Sequence, residues 1–287
     1  MKPHGSHVLP IRGLRYHVRT WGNESAPALV LLHGWMDVSA SFQFTVDALS
    51  RDWHVIAPDW RGFGMSQWTH QGYWFPDYIA DLDALLQHFS PDAPARLVGH
   101  SMGGNVANLY AGIRPERVEK LVLAEGFGLP TTQPGKAPDR YGQWLTEHRQ
   151  PPSLKPYRSF DEVAQRLQTN NPRLSDERAK FLAPHWAEKR SDGQIHLRAD
   201  PCHKMVNPVL YRVEEAMSCW KRITAPTLWL WGDGEWVLKW MKGDKALMDS
   251  YRTCYRSLKE ETIPGAGHMM HHDQPVAFAA AIESFLN

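Results

Sequence analysis

Leu97-Val-Gly-His-Ser-Met-Gly-Gly-Asn-Val106 is the stretch that decides the fold. Arg96 to Gly99 is a short apolar run suited to a buried strand. Met102 to Arg114 then carries apolar residues at helical spacing, with no proline until Pro115. Between them, Gly99-His100-Ser101-Met102-Gly103 has the G-x-S-x-G pattern of a strained strand-to-helix turn. The flanking glycines leave room for a crowded backbone while the serine Oγ projects into a cleft. Ser101 is therefore the candidate nucleophile.

A serine hydroxyl is a weak nucleophile at neutral pH unless a positioned imidazole takes its proton. Outward from the elbow, the chain alternates strand and helix patterns. Gly13 to Trp21 alternates as an edge strand, and Ala28-Leu-Val-Leu-Leu32 is a continuous apolar run suited to a strand buried on both faces. Ser41 to Leu49 reads as a helix, Trp53 to Ala57 as a strand, Tyr73 to Phe89 as a helix and Val118 to Ala124 as a strand. Pro226 to Trp231 reads as a strand, Val237 to Tyr251 as a helix, Leu258 to Ile263 as the last strand, and Pro275 to Leu286 as a terminal helix. This alternation predicts an α/β fold with a mainly parallel central sheet and flanking helices.

The rhythm breaks between Phe127 and Trp220, where prolines cluster and only helical pieces appear, at Tyr141 to Glu147, Phe160 to Gln168 and Ser175 to Ala187. The expected organisation is a core of residues 1–126 and 221–287 with an inserted, mostly helical cap at 127–220. Its aromatics, among them Tyr141, Trp144, Tyr157, Phe160, Phe181 and Trp186, are expected to form the cap's own core.

Loops at the carboxyl edge of such a sheet bind ligands. His33-Gly34-Trp35-Met36-Asp37 follows a central strand, so the backbone N–H groups of Trp35 and Met102 are the expected oxyanion-hole donors. His268 follows the glycine-rich turn Pro264-Gly-Ala-Gly267 after the final strand, which makes it the candidate base. The acid that orients it has to come between serine and histidine in the chain, at the end of one of two strands. Glu235 is preferred for its spacing after the strand at 226–231; Asp233 beside it and Glu125, at the end of the strand at 118–124, are the alternatives.

Composition narrows the function classes. Lysine and arginine (32) nearly balance aspartate and glutamate (31), a net charge of +1 that offers no footprint for nucleic acid or acidic membranes. The three cysteines lack metal or redox spacing, the amino terminus lacks a signal-peptide core, and no apolar run approaches the roughly 20 residues of a membrane span, so a cytoplasmic location is expected. His268, His271 and His272 place at most two imidazoles together without an H-E-x-x-H pattern. No metal and no cofactor are expected, and His271 and His272 are expected to be bystanders.

These motifs together resemble the α/β-hydrolase fold superfamily. Ala28 to Asp37 is similar to its strand with an H-G-x oxyanion turn, Pro58-Asp-Trp-Arg-Gly-Phe-Gly-Met-Ser66 to its D-x-R-G-x-G-x-S loop, Gly99 to Gly103 to its nucleophile elbow, and Gly265-Ala-Gly-His268 to its histidine loop. Asn170 to Ser175 and Asn207 to Tyr211 resemble the serine-hydrolase-like, kraken-type branch. The resemblance implies a cap inserted after the sixth strand and a cofactor-free serine hydrolase acting on a small carboxylic ester or related acyl compound. A serine at the elbow departs from the aspartate of dehalogenases and epoxide hydrolases, which favours acyl transfer. The same residues would also serve a C–C bond hydrolase of a diketone-like substrate, or a receptor that keeps the triad.

Overall fold

The computed structural model describes residues 1–234 and 236–287, and of Leu238 the backbone alone. Strands β1 (His4–Ile11), β2 (Leu14–Trp21), β3 (Ala28–Leu32), β4 (His54–Pro58), β5 (Ala95–His100), β6 (Val118–Ala124), β9 (Thr227–Gly232) and β10 (Leu258–Ile263) form one sheet in the order β1-β2-β4-β3-β5-β6-β9-β10. Its first two pairings, β1 with β2 and β2 with β4, are antiparallel; every other is parallel.

Alternation along the central strands sends side chains to two separate cores. Val30, Leu32, Leu97, Leu121, Leu123 and Trp229 pack on one face with helices α2 (Phe75–Phe89), α3 (Met102–Ile113) and α7 (Val213–Trp220). Leu29, Leu31, Val98, Val122, Leu228 and Leu230 pack on the other with α1 (Gln43–Ala48) and α11 (Pro275–Leu286). A strand covered on both faces has to be apolar at every position, which is why these runs are continuous in the sequence.

The insertion between β6 and β9 holds α4 (Ala137–Arg149), α5 (Phe160–Asn170) and α6 (Asp176–Trp186). It also holds a small antiparallel hairpin, β7 (Ala187–Lys189) with β8 (Ile195–Leu197). Ser159 and Ser175 cap α5 and α6, their side chains accepting from Glu162 N and Arg178 N. This cap has its own core around Val163, Leu167, Leu182 and Ile195, against which Tyr157, Phe160, Phe181 and Trp186 pack. Tyr141 instead stands about half exposed on α4. Trp144 on that helix lies near Trp74 and His148.

The structure departs from the sequence reading at several elements. β1 lies outside β2 as the true edge, joined to it through Arg12 and Gly13, both in the left-handed region. The hairpin β7–β8 is too short to leave a period in the sequence. The helix expected over 237–251 is two, α8 (Trp236–Trp240) and α9 (Lys245–Arg252), separated by Lys242 and Gly243 at positive φ.

Candidate active site

Ser101 has φ 52° and ψ −116°, a conformation that only a tightly enforced turn holds on a non-glycine residue. The neighbours enforce it by backbone contact. A Cβ on Gly103 would lie 2.3 Å from Leu32 O, and one on Gly126 would lie 2.5 Å from Ser101 O. The elbow therefore forms where β3, β5 and β6 end side by side, at the carboxyl edge of the sheet.

The turn after β3 reaches the same point. His33, fully buried, donates from Nδ1 to Gly34 O at 2.8 Å and accepts from Trp60 N at Nε2 at 2.9 Å, which locks the turn to the loop after β4. A Cβ on Gly34 would lie 3.1 Å from Ser101 Cβ, so the turn passes directly over the serine. Among the described residues, neither Trp35 N–H nor Met102 N–H has a partner within the protein. Both residues line one cavity with Ser101, and Met102 opens α3, where the helix dipole favours negative charge.

His268 enters from the turn that precedes α10 (Met270–Asp273). Three contacts hold that turn: Asp233 Oδ2 accepts from Gly265 N at 2.6 Å, Asp273 Oδ2 from Gly267 N at 2.8 Å, and His268 O accepts from His100 Nε2 at 2.8 Å. Trp236 stacks on the imidazole at 3.6 Å between ring centroids. Imidazole Nδ1 faces Glu125 Oε2 at 2.7 Å, and Glu125 Oε1 accepts from Gly232 N at 2.8 Å. The Glu125 side chain is 1% exposed and its backbone sits at φ 47°, a bend beyond the last residue of β6 that turns the carboxylate beneath the histidine. Of the three candidate acids, Glu125 thus meets His268, Asp233 meets Gly265 on the exposed side of the turn, and Glu235 lies outside the described residues.

No hydrogen bond joins Ser101 Oγ to the His268 ring among the described residues. In unliganded hydrolase sites this contact is often long and closes with substrate.

His271 and His272, expected as bystanders, are buried on α10 behind the site. His271 Nε2 meets Asp37 Oδ2 at 3.1 Å. Burial by itself would raise the Asp37 carboxyl, but the hydrogen bond and charge of His271, with His272 and His33, hold it far below the usual carboxylate range. Burial, then the neighbouring His271 and His268, pushes His100 well below the ordinary imidazole range, so it acts as a neutral donor to His268 O. Asp37, His100 and His271 bring one donor atom each within 4.8 Å of one another, the nearest approach to a metal-ligand set among the described residues. His271 Nε2 pairs with Asp37 and His100 Nε2 with His268 O, while the buried Nδ1 atoms of His100 and His271 have no hydrogen-bond partner among the described residues. His100, which donates to His268 O, and Trp236, which stacks on the His268 ring, are contacts that sequence reasoning misses. The only available signal for His100 is its place inside G-x-S-x-G, and Trp236 leaves none.

Ser101, His268 and Glu125 come together at one sheet edge, and a cap is inserted after β6. The family profile described as the alpha/beta hydrolase fold matches residues 27–275. The chain belongs to that family. The serine hydrolase-like protein of Danio rerio is 26% identical over 93% of this chain and 84% of its own length. The thioesterase domain from the curacin biosynthetic pathway superposes with a TM-score of 0.85 at 23% identity, covering 98% of this chain and 99% of that one. The structure of E-2-(acetamidomethylene)succinate hydrolase superposes with a TM-score of 0.78 at 22% identity over 99% of both chains. At these identities the structural matches speak for the fold. No helix among the described residues is long and apolar enough to cross a membrane.

Proposed function

We propose that this family member is a cofactor-free serine hydrolase that cleaves a small carboxylic ester or related acyl compound, with Ser101 as nucleophile, His268 as base and Glu125 as the acid. The observation that carries the reading is the buried Glu125 carboxylate on His268 Nδ1 at 2.7 Å, beside a strained Ser101 in a shared cavity.

The chemistry follows from that geometry. Glu125 keeps the proton on Nδ1, which leaves the Nε2 lone pair free to take the proton of Ser101 Oγ as it attacks the acyl carbon. The oxygen of the tetrahedral intermediate turns to the Trp35 and Met102 N–H groups, each worth about 3 kcal/mol in comparable sites. As the intermediate collapses, His268 passes its proton to the leaving alkoxide, and the acyl group stays on Ser101. Water, deprotonated by His268, attacks the acyl-enzyme and releases the acid. Glu125 stabilises the imidazolium in both halves, and the stacked Trp236 face supplies further attraction for that cation.

The acyl group meets a largely apolar cavity of about 200 Å³, lined by Phe127, Leu129, Val237 and Met241 besides the elbow. Pockets for drug-sized ligands run from about 300 to 1,000 Å³, so the space here suits a short acyl chain. The name of the Danio rerio relative, a serine hydrolase-like protein, is in keeping with this reading. The cap assigned to 127–220 is proposed as the lid over this cavity.

Labelling with a fluorophosphonate and assay on a panel of short p-nitrophenyl esters test the reading together. The protein should label at Ser101 and release acid and alcohol steadily. Ser101→Ala should lose both labelling and at least about a thousandfold in turnover while keeping its melting curve, because only Oγ is removed. Retained ester turnover in that variant refutes the nucleophile.

A further inference from the structure

A second and larger cavity, of about 710 Å³, lies between the oxyanion turn and the cap. Trp35 lines both it and the catalytic cavity, so one residue borders the two spaces. Leu154 and Leu167 contribute apolar wall. The charged residues lining the second cavity are Lys155, Arg166 and Lys204, with no carboxylate among its lining.

Most of the cap's other cations have a partner; among the described residues Lys136, Arg149 and Lys189 do not, and none of those three lines this cavity. On the same cap Arg158 pairs with Glu162, Arg190 and Arg198 share Glu188, Arg173 faces Asp233, and Arg178 donates to His272 O. Among the described residues, Lys155, Arg166 and Lys204 have no such partner. Glu162, one helical turn before Arg166 on α5 and the natural i,i+4 mate for it, is turned to Arg158 instead. In a chain of net charge +1, three unpaired cations around one concave, partly apolar space are a local excess that composition does not impose. Like charges gathered in this way repel one another, and a bound anion relieves the repulsion; concave low-dielectric walls strengthen its attraction.

We propose that the second cavity is the subsite for an anionic group, a carboxylate or a phosphate, on the part of the substrate remote from the scissile acyl bond. The acyl carbon stands at Ser101, the chain passes Trp35, and the anion is received by Lys155, Arg166 and Lys204. The assignment rests on the hydrolase reading above and narrows it to acyl compounds with an anionic far end.

The test compares kcat/KM for monoethyl esters of linear dicarboxylic acids of four to ten carbons with the matching neutral diethyl esters. A parallel arm uses acetyl esters of ω-hydroxyalkyl phosphates against those of the plain alkanols, which separates carboxylate from phosphate. At low salt the anionic ester should be favoured by about tenfold or more at its best length, and the preference should shrink as salt rises, because Lys155, Arg166 and Lys204 are exposed. In Lys155→Met/Arg166→Met/Lys204→Met the anionic-to-neutral ratio should fall to near one, whereas Arg166→Lys should retain most of it. Calorimetry of octanoate and octyl phosphate against octanol, each titrated into Ser101→Ala, supplies a readout that needs no turnover. Tighter binding of the anions, lost in the triple variant, supports the subsite even if the hydrolase reading fails. A neutral preference at every length, or anion binding that the triple variant leaves intact, overturns the inference, while fluorophosphonate labelling at Ser101 tests the chemistry separately.

Discussion

Glu125→Gln replaces one carboxylate oxygen by an NH₂ group and should nearly abolish turnover, for a reason that the hydrogen bonds around it determine. Glu125 Oε1 accepts from Gly232 N at 2.8 Å while Oε2 faces His268 Nδ1 at 2.7 Å. Gly232 N–H can only donate, so the glutamine amide places its oxygen there and its NH₂ group toward His268. That NH₂ needs an acceptor and finds one in Nδ1, which moves the ring proton to Nε2, the nitrogen that has to receive the proton of Ser101. The imidazole then presents an N–H to the serine and cannot act as base. The expected loss is about ten-thousandfold in kcat, or about 5.5 kcal/mol of transition-state stabilisation. Asp233→Asn, which alters the acceptor for Gly265 N on the exposed side of the turn, should slow turnover less than about tenfold. Initial rates on a p-nitrophenyl ester, normalised by active-site titration and accompanied by melting curves, separate chemistry from folding. Glu125→Gln within about tenfold of the parent, with Glu235→Gln inactive, would refute the tautomer argument and assign the acid to Glu235.

Two further outcomes follow from the elbow and from the buried histidines. Gly126→Ala puts a Cβ 2.5 Å from Ser101 O and 2.6 Å from Gly104 Cα, contacts that backbone cannot relieve cheaply. It should destabilise the fold by about 3 kcal/mol and reduce fluorophosphonate labelling of the remaining folded protein; unchanged melting and labelling would refute the enforced-turn account. Burial holds His203, stacked between Phe63 and Tyr73, down at about 3, His272 at about 3 and His185 at about 4. In the unfolded chain each takes a proton near 6.5, so their folded values are depressed. The stability they allow is whole above pH 6.5 and is lost as pH falls from there toward 3 for His203 and His272 and toward 4 for His185, at about 2 kcal/mol by pH 5 for each of the first two and less for the more exposed His185. Melting followed from pH 7.5 to 5 should show this decline, and His203→Phe should flatten it by about one proton's worth; a midpoint constant over that range would contradict the burial of these rings.

The sequence by itself was enough for the elements whose surroundings are uniform along the chain. Ala28 to Leu32 and Leu121 to Ala124 are covered on both faces, so every position is apolar and the runs read directly from composition; the charged Glu119 and Lys120 fall where β6 is only partly covered. The elbow around Ser101 was legible because its pattern is local: Gly99 and Gly103 lie within two residues, whereas the close approach of Gly126 to Ser101 O appears only in the fold. Charge balance likewise belongs to the sequence alone. Other features required the fold because they arise between residues far apart in the chain. Glu125 and His268 are 143 residues apart, and the order serine, acid, histidine is the same whether the carboxylate ends β6 or follows β9. What brings Glu125 to the imidazole is the parallel pairing of β6 with β9 and the positive-φ bend after β6. His271 and His272 look like a polar surface run in the sequence and are interior in the fold, since α10 packs behind the site and gives His271 the Asp37 carboxylate as its partner. The meeting of Lys155, Arg166 and Lys204 around one cavity is likewise a product of the cap's packing: they come from different segments, and no spacing in the sequence records that they share a space.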